Sequence, residues 1–206
     1  MVIALVFFIA AYFVGSIPTG YLLVKEREGV DLRTIGSGST GATNAGRYIY
    51  CNKYHDAHRA RRMFFAVLGC DMAKGVLPVL LALLLTTGDY CCIAAAVGAI
   101  AGHSLSCFLD FKGGKSVATG WGTLLVFSPL VWVCSFALWY LITHTSKYVS
   151  LASIIAFASA PLLMWAFGAS TAQINYSVML ALYVISLHRD NIERLKKKGE
   201  NKTEWL

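Results

Sequence analysis

The sequence predicts an all-α fold: a polytopic integral membrane protein of seven transmembrane helices, with the N-terminus outside and the C-terminus cytoplasmic. Three observations predict it. Apolar residues make up 57% of the 206 residues and charged residues only 14%, against roughly 45–50% and about 25% in an ordinary soluble domain. Residues 1–24, 90–109, 116–146 and 148–188 contain no Asp, Glu, Lys or Arg. About 20 apolar residues, each rising about 1.5 Å, cross a hydrocarbon core of about 30 Å. The basic residues gather between these runs, where a positive-inside bias can set orientation. The runs are continuous and do not alternate at period two, which excludes a β-barrel.

The first run has no basic leading region, and its apolar stretch is too long for a signal peptide, so residues 2–24 are expected to be a retained span. A polar loop, Lys25 to Arg62, follows. The second span is expected over 63–87 and the third over 90–109, with a short loop from Asp110 to Ser116. The run Val117 to Thr143 is long for one span and short for two. Ser128-Pro129 lies in its middle, where proline breaks or kinks a helix. The 41-residue run holds spans at 149–167 and 171–187, with a turn at Ala166–Ser170. A basic tail, Arg189 to Leu206, follows.

Charge decides between six and seven crossings. Loop 25–62 carries eight Lys and Arg, loop 110–116 carries Lys112 and Lys115, loop 144–148 carries Lys147, and the tail carries six. If the 117–143 run crosses twice, these 17 of the 18 basic residues share one face. If it crosses once, Lys147 and the tail move outside, against the positive-inside bias. The net charge of +7 is thereby explained by cytoplasmic loops facing anionic lipid, and no nucleic-acid partner is expected. The six cysteines show no CxxC spacing, and five lie in apolar segments, where free thiols act as small hydrophobes. No disulfide framework is expected.

Three polar motifs carry the chemistry. The first is Gly36-Ser37-Gly38-Ser39-Thr40-Gly41-Ala42-Thr43-Asn44-Ala45-Gly46-Arg47. Closely spaced glycines let backbone N–H groups converge on an anion. Ser37, Ser39, Thr40, Thr43 and Asn44 add donors, and Arg47 offers a fork that matches phosphate oxygens. A flexible connector would not require Thr-Asn-x-x-Arg after the glycines. A nucleotide P-loop is excluded by the missing Gly-Lys-Ser/Thr ending. The second motif is Phe111-Lys112-Gly113-Gly114-Lys115-Ser116 just before an apolar segment, where a helix start would favour an anion. Ordinary positive-inside lysines are the alternative. The third is His188-Arg189-Asp190-Asn191-Ile192-Glu193-Arg194. A continuous helix would put His188, Asn191 and Ile192 on one face. His188 would then donate to a phosphate or accept a proton, with a juxtamembrane polar cap as the alternative. Asp71 and Lys74, at i and i+3 within the second span, can neutralise each other in either a structural or a catalytic network. His103 reads as a hydrogen-bonded interior histidine. Cys51, His55 and His58 form only a loose set of ligand types, so no metal and no cofactor are expected.

These motifs, with Gly15-Ser16-Ile17-Pro18-Thr19-Gly20, Val30-Asp31-Leu32-Arg33, Asp71-x-x-Lys74-Gly75 and Gly102-His103, resemble the membrane-integral acyl-phosphate:glycerol-3-phosphate acyltransferases of bacteria. The likeness covers nearly the whole chain in the same order. It implies seven spans with an external N-terminus. It also implies one acyltransferase domain over residues 1–206, monomeric in the inner membrane, with its site at the cytoplasmic face. The implied reaction moves a fatty acyl group from acyl phosphate to the 1-hydroxyl of glycerol 3-phosphate. It releases phosphate and lysophosphatidic acid and opens phospholipid synthesis. The implied catalytic residues are Ser37, Arg47, Lys115, His188 and Asn191. Substrate contacts extend to Gly36, Gly38, Ser39, Gly41, Thr43, Asn44, Lys112, Gly113 and Gly114. The chain departs from the family pattern at Ser39, where Asn is usual, at Ser116, where Gly is usual, and in its polar segment Tyr48–Arg62.

Acyl phosphate is an activated mixed anhydride, so positioning, desolvation and charge stabilisation suffice. The hydroxyl proton is expected to pass to the substrate's phosphate, oriented by His188 and Asn191, or to His188 itself. A His-x4-Asp mechanism is disfavoured, because His188 has Glu193 at that spacing. A small transporter or flippase for anionic substrates would carry its charges mid-membrane in repeated halves. An enzyme of CDP-alcohol transfer would need clustered Asp ligands, and only Asp71 lies within a span.

Overall fold

The computed structural model describes residues 1–206 and is helical, with no strand. The helices are α1 (Val2–Ser16), α2 (Thr19–Glu28), α3 (Ala42–Tyr48), α4 (Ala57–Leu85), α5 (Asp89–Ser104), α6 (Val117–Phe127), α7 (Pro129–Ser146), α8 (Val149–Ala166), α9 (Thr171–Leu187) and α10 (Arg189–Lys196). Three stretches are long and apolar enough to cross a membrane: Val2–Glu28, Ala57–Leu85 and Val149–Ala166. The chain forms two compact units, Met1–Thr123 with Trp205 and Leu124–Glu204 with Leu206.

In the first unit, small residues bring helices to backbone contact, as interhelical packing in lipid favours. Gly98 and Gly102 of α5 lie against the carbonyls of Phe8 and Tyr12 in α1, and Gly15 lies against Ala99. Gly75 of α4 meets the Thr119 carbonyl of α6, and Gly122 meets that of Met72. A Cβ at any of these positions would overlap the facing backbone.

Two spans depart from expectation here. The first is broken at Ile17-Pro18, because proline lacks an N–H and its ring clashes with the preceding turn. The Ile17 carbonyl at the break accepts from Thr19 N at 3.0 Å and from Lys74 Nζ at 2.6 Å. The helix of the expected third span, α5, ends at Ser104, not near residue 109. The chain beyond it folds into turns around Ser106, whose carbonyl accepts from Leu109 N and Phe111 N while its hydroxyl donates to the Ser16 carbonyl. The second span starts at Ala57, ahead of Met63, because the Asp56 carboxylate caps it by accepting from His58 N at 2.8 Å and Arg59 N at 3.2 Å. Ahead of it, Ile49–Tyr54 forms a π-helical turn ending at His55 in left-handed backbone. No group of three His, Cys, Asp or Glu side chains is arranged to hold a metal ion.

In the second unit, the long apolar run divides at Ser128-Pro129 as expected. Ser128 Oγ accepts from Val131 N at 3.4 Å, and Pro129 opens α7, where no N–H is needed. Trp139 Nε1 donates to Ser153 Oγ at 3.2 Å, joining α7 to α8. The turn between α8 and α9 falls at the expected residues: Gly168 has φ 72° and Ser170 caps α9 through Gln173 N. All six cysteines are unbonded.

Candidate active site

The first polar loop is shaped by two anchors. Asp31 starts a 3₁₀ turn by accepting from Arg33 N at 2.9 Å, and it pairs with the Arg33 guanidinium at 2.8 Å. The side-chain bond from Arg33 holds the Asp31 carboxyl below its ordinary value. Arg33 Nη1 also stands 3.8 Å from Asp110 of the second loop. That pair is largely exposed, so it orients the loops more than it stabilises them.

The second anchor is Asn44, which is 3% exposed. Its Nδ2 donates to the carbonyls of Leu32 (3.2 Å), Ile35 (2.9 Å) and Ser39 (2.9 Å), and its Oδ1 accepts from Ser37 N at 3.2 Å. The sequence offered Asn44 as a phosphate donor; in the fold its amide is committed to the loop's own backbone. Gly36 and Gly38 take φ 58° and 69°, left-handed values that glycine reaches without strain. A Cβ on Gly36 would overlap Asn44 Oδ1. Gly36, Ser37 and Gly38 are exposed, while Ser39, Gly41, Thr43 and Arg47 are half-buried. Arg47 sits in the last turn of α3. That helix is seated by Trp205, whose ring occupies the space a Gly46 side chain would take. Trp205 also meets Phe64 edge-on at 5.8 Å, and its carbonyl accepts from Arg61 Nε at 2.7 Å.

The second loop is tied to the end of α5. Gly114 N donates to the His103 carbonyl at 3.0 Å, and Ser116 Oγ donates to the Ile100 carbonyl at 3.1 Å. Lys115, half-buried, lies between these ties, and Lys112 is exposed. Ser116 has φ 56° and is fully buried. The resemblance implied glycine at this position, a residue that reaches left-handed backbone without strain. The hydrogen bond to Ile100 offsets part of the strain. The helix α6 begins at Val117, directly after the loop, as the sequence implied.

The third motif lies in the second unit. His188 is not within a continuous helix; it is the junction of α9 and α10, with φ −99° and ψ 9°. Its Nδ1 is 2.7 Å from the Val184 carbonyl. A carbonyl only accepts, so Nδ1 carries the proton, and Nε2 of the neutral ring is the acceptor nitrogen. Asn191, 6% exposed, donates to Glu200 Oε1 at 2.6 Å. Ser150 Oγ donates to the same oxygen at 2.9 Å, and Arg194 Nε to Glu200 Oε2 at 2.8 Å. Burial pushes the Glu200 carboxyl up, but the bonds from Arg194, Asn191 and Ser150 outweigh it and hold the group below its ordinary value.

Sequence reasoning missed Glu200 and Trp205. Glu200 stands in a lysine-rich tail with nothing periodic to single it out. Trp205 had one available signal, a large aromatic in an otherwise polar tail.

Comparison with known proteins identifies the family. The family model described as glycerol-3-phosphate acyltransferase matches residues 5–198. A glycerol-3-phosphate acyltransferase of Synechococcus sp. (strain JA-3-3Ab) is 42% identical over 96% of this chain and 92% of its own. One of Geobacter sulfurreducens is 42% identical over 93% of each. The crystal structure of PlsY, an integral membrane glycerol 3-phosphate acyltransferase, in its glycerol 3-phosphate form superposes with a TM-score of 0.88 at 35% identity, covering 97% of this chain and 95% of that one. Its lysophosphatidic acid form gives 0.87 at 33% identity over 98% and 96%. The chain therefore belongs to the glycerol-3-phosphate acyltransferase family.

Proposed function

We propose that this chain is a membrane glycerol-3-phosphate acyltransferase whose donor is acyl phosphate. The observation that carries this is the pair of glycine-turned loops in the first unit. Each is pre-shaped by buried ties, and each carries a half-buried basic residue, Arg47 or Lys115. Two phosphate-bearing substrates need two such cradles. The related crystal forms with glycerol 3-phosphate and lysophosphatidic acid support the acceptor and the product.

In this reading Arg47 and Lys115 hold phosphate groups, assisted by Ser37 and by the N–H groups and side chains of Gly36, Gly38, Ser39, Gly41, Thr43, Lys112, Gly113 and Gly114. Asn44 acts by holding the first loop in shape. The 1-hydroxyl oxygen attacks the acyl carbonyl carbon, the carbonyl's bond to the phosphate oxygen breaks, and inorganic phosphate leaves. The departing phosphate takes the hydroxyl proton. The resemblance assigns His188 and Asn191 the role of orienting that phosphate. No covalent intermediate is required, because the mixed anhydride is already activated and the protein supplies orientation and charge stabilisation.

We further assign the chain seven crossings, an external N-terminus, and a site at the cytoplasmic face of a bacterial inner membrane. The distribution of 17 basic residues and the division of residues 117–146 into α6 and α7 support this. The whole chain serves one catalytic function and acts as a monomer. The test is phosphate release by purified protein given palmitoyl phosphate and glycerol 3-phosphate, with acyl-CoA and acyl carrier protein thioesters as alternative donors. Release and lysophosphatidic acid formation with palmitoyl phosphate alone are expected; activity restricted to a thioester would overturn the donor assignment.

A further inference from the structure

Beneath the two loops of the first unit lies a charged cluster outside the machinery described so far. Asp71, Lys74 and His103 are 2%, 5% and 7% exposed. Lys74 Nζ pairs with Asp71 Oδ1 at 2.7 Å and donates to the Ile17 carbonyl at the break between α1 and α2. Thr19 Oγ1 donates to the same Asp71 oxygen, and His103 Nδ1 faces it at 3.7 Å. Buried intramembrane charges are expensive and persist where a network needs them.

The cluster touches both loops. On one side, Gly20, next to Thr19, lies against the Thr40 carbonyl of the first loop. On the other, His103 forms the floor of the second: Gly113 rests on its carbonyl and Gly114 on the Nε2 edge of its ring. Thr119 Oγ1, one turn into α6 after Lys115, donates to the Asp71 carbonyl at 3.0 Å. A small cavity lined by Thr19, Asp71, Lys74, His103 and Gly113 joins these groups.

We propose that His103, which faces the Thr19-bonded Asp71 carboxylate at 3.7 Å and underlies the second loop, is a positioning residue that sets where Lys115 stands relative to the first loop. Gly114 lets the loop rest on this imidazole, and Gly113 lets it rest on the His103 carbonyl. The idea rests on the acyltransferase reading, and its test separates the two: absent activity in the unmodified protein defeats that reading, whereas normal activity with the outcomes below defeats only this one.

The experiment measures KM and kcat for both substrates, with thermal stability, in His103→Ala, His103→Gln, Thr19→Val, Gly114→Ala and the double variant His103→Ala/Gly114→Ala. A displaced phosphate-binding lysine weakens ground-state binding, so KM for a phosphate substrate should rise about tenfold or more in folded His103→Ala. Gly114→Ala should do the same in the native background by colliding with the ring. Removing the ring makes room for the added methyl, so the double variant should be no worse than His103→Ala. Contacting residues couple in this way, whereas independent ones add. If His103→Ala does not fold, the same KM rise is required of His103→Gln or Thr19→Val. Unchanged KM in the folded variants, or additive losses in the double, would overturn the proposal.

Discussion

Asn44 lets the role of the first loop be tested at one side chain. Its amide touches four backbone groups, its two N–H hydrogens shared among three carbonyls and its oxygen accepting from one N–H, at a site 3% exposed. A buried hydrogen bond contributes about 1 kcal/mol net. Asn44→Ala removes all of these contacts, worth about three full bonds, but water reaches the exposed rim at Gly36–Gly38. A loss of about 2–3 kcal/mol follows once that partial compensation is allowed. Asn44→Asp is the sharper change. It keeps the oxygen that Ser37 N needs, yet it turns the donor nitrogen into an anionic oxygen facing three carbonyls. It should destabilise at least as much as alanine despite identical shape. Both variants, purified in detergent, should melt earlier and lose acyl transfer together in a phosphate-release assay. A phosphate donor would behave differently: Asn44→Ala would then raise KM while leaving the melting temperature in place. That pattern, or an Asn44→Asp protein as stable as the parent, would refute the structural role.

Arg47→Ala and Lys115→Ala should each abolish acyl transfer while leaving membrane insertion and melting temperature near normal; near-normal turnover by purified Arg47→Ala would reject its role. Gly46→Ala should displace the Trp205 ring and cost most of the activity. Trp205→Ala combined with it should recover more activity than Gly46→Ala alone, because the collision is removed. Ser116→Gly should leave stability within about 1 kcal/mol, relief of left-handed strain offsetting the lost bond to Ile100, whereas Ser116→Val should destabilise by about 2 kcal/mol or more in thermal melts. Glu200 has a folded-state pKa lowered from its ordinary value, so the unfolded chain binds its proton first as pH falls. Its contribution is complete above the ordinary glutamate value of about 4.3 and is lost below it as pH drops through the folded value. Melting temperature should fall over that range in the parent, and Glu200→Gln should flatten the fall.

Much of this protein was legible in the sequence because the governing signals are local and additive. Hydropathy summed over about 20 residues marks apolar spans regardless of neighbours. Ser128-Pro129 and Ala166–Ser170 end and start helices through bonds to residues three or four away, so their turns fall where the residues predict. The glycine loops were visible because backbone permissiveness belongs to glycine itself.

The tertiary structure decided what depends on direction and on distant partners. Hydropathy cannot see that Pro18 breaks the first span, because both halves stay apolar; the break persists because Lys74 satisfies the freed carbonyl of Ile17. Helix α5 ends at Ser104 because Ser106 finds the Ser16 carbonyl, a partner far away in the chain. The sequence singles out Asn44 as a donor, and only its bond directions reveal that it braces the loop. Glu200 finds Asn191 and Ser150, and Trp205 finds Gly46, through chain reversals that no window of sequence contains. Composition and punctuation marked the apolar stretches and the polar loops, since those are one-dimensional properties. The identity of each polar partner came from folding, because a hydrogen bond or a close packing contact exists only when two remote groups meet at the right distance and angle.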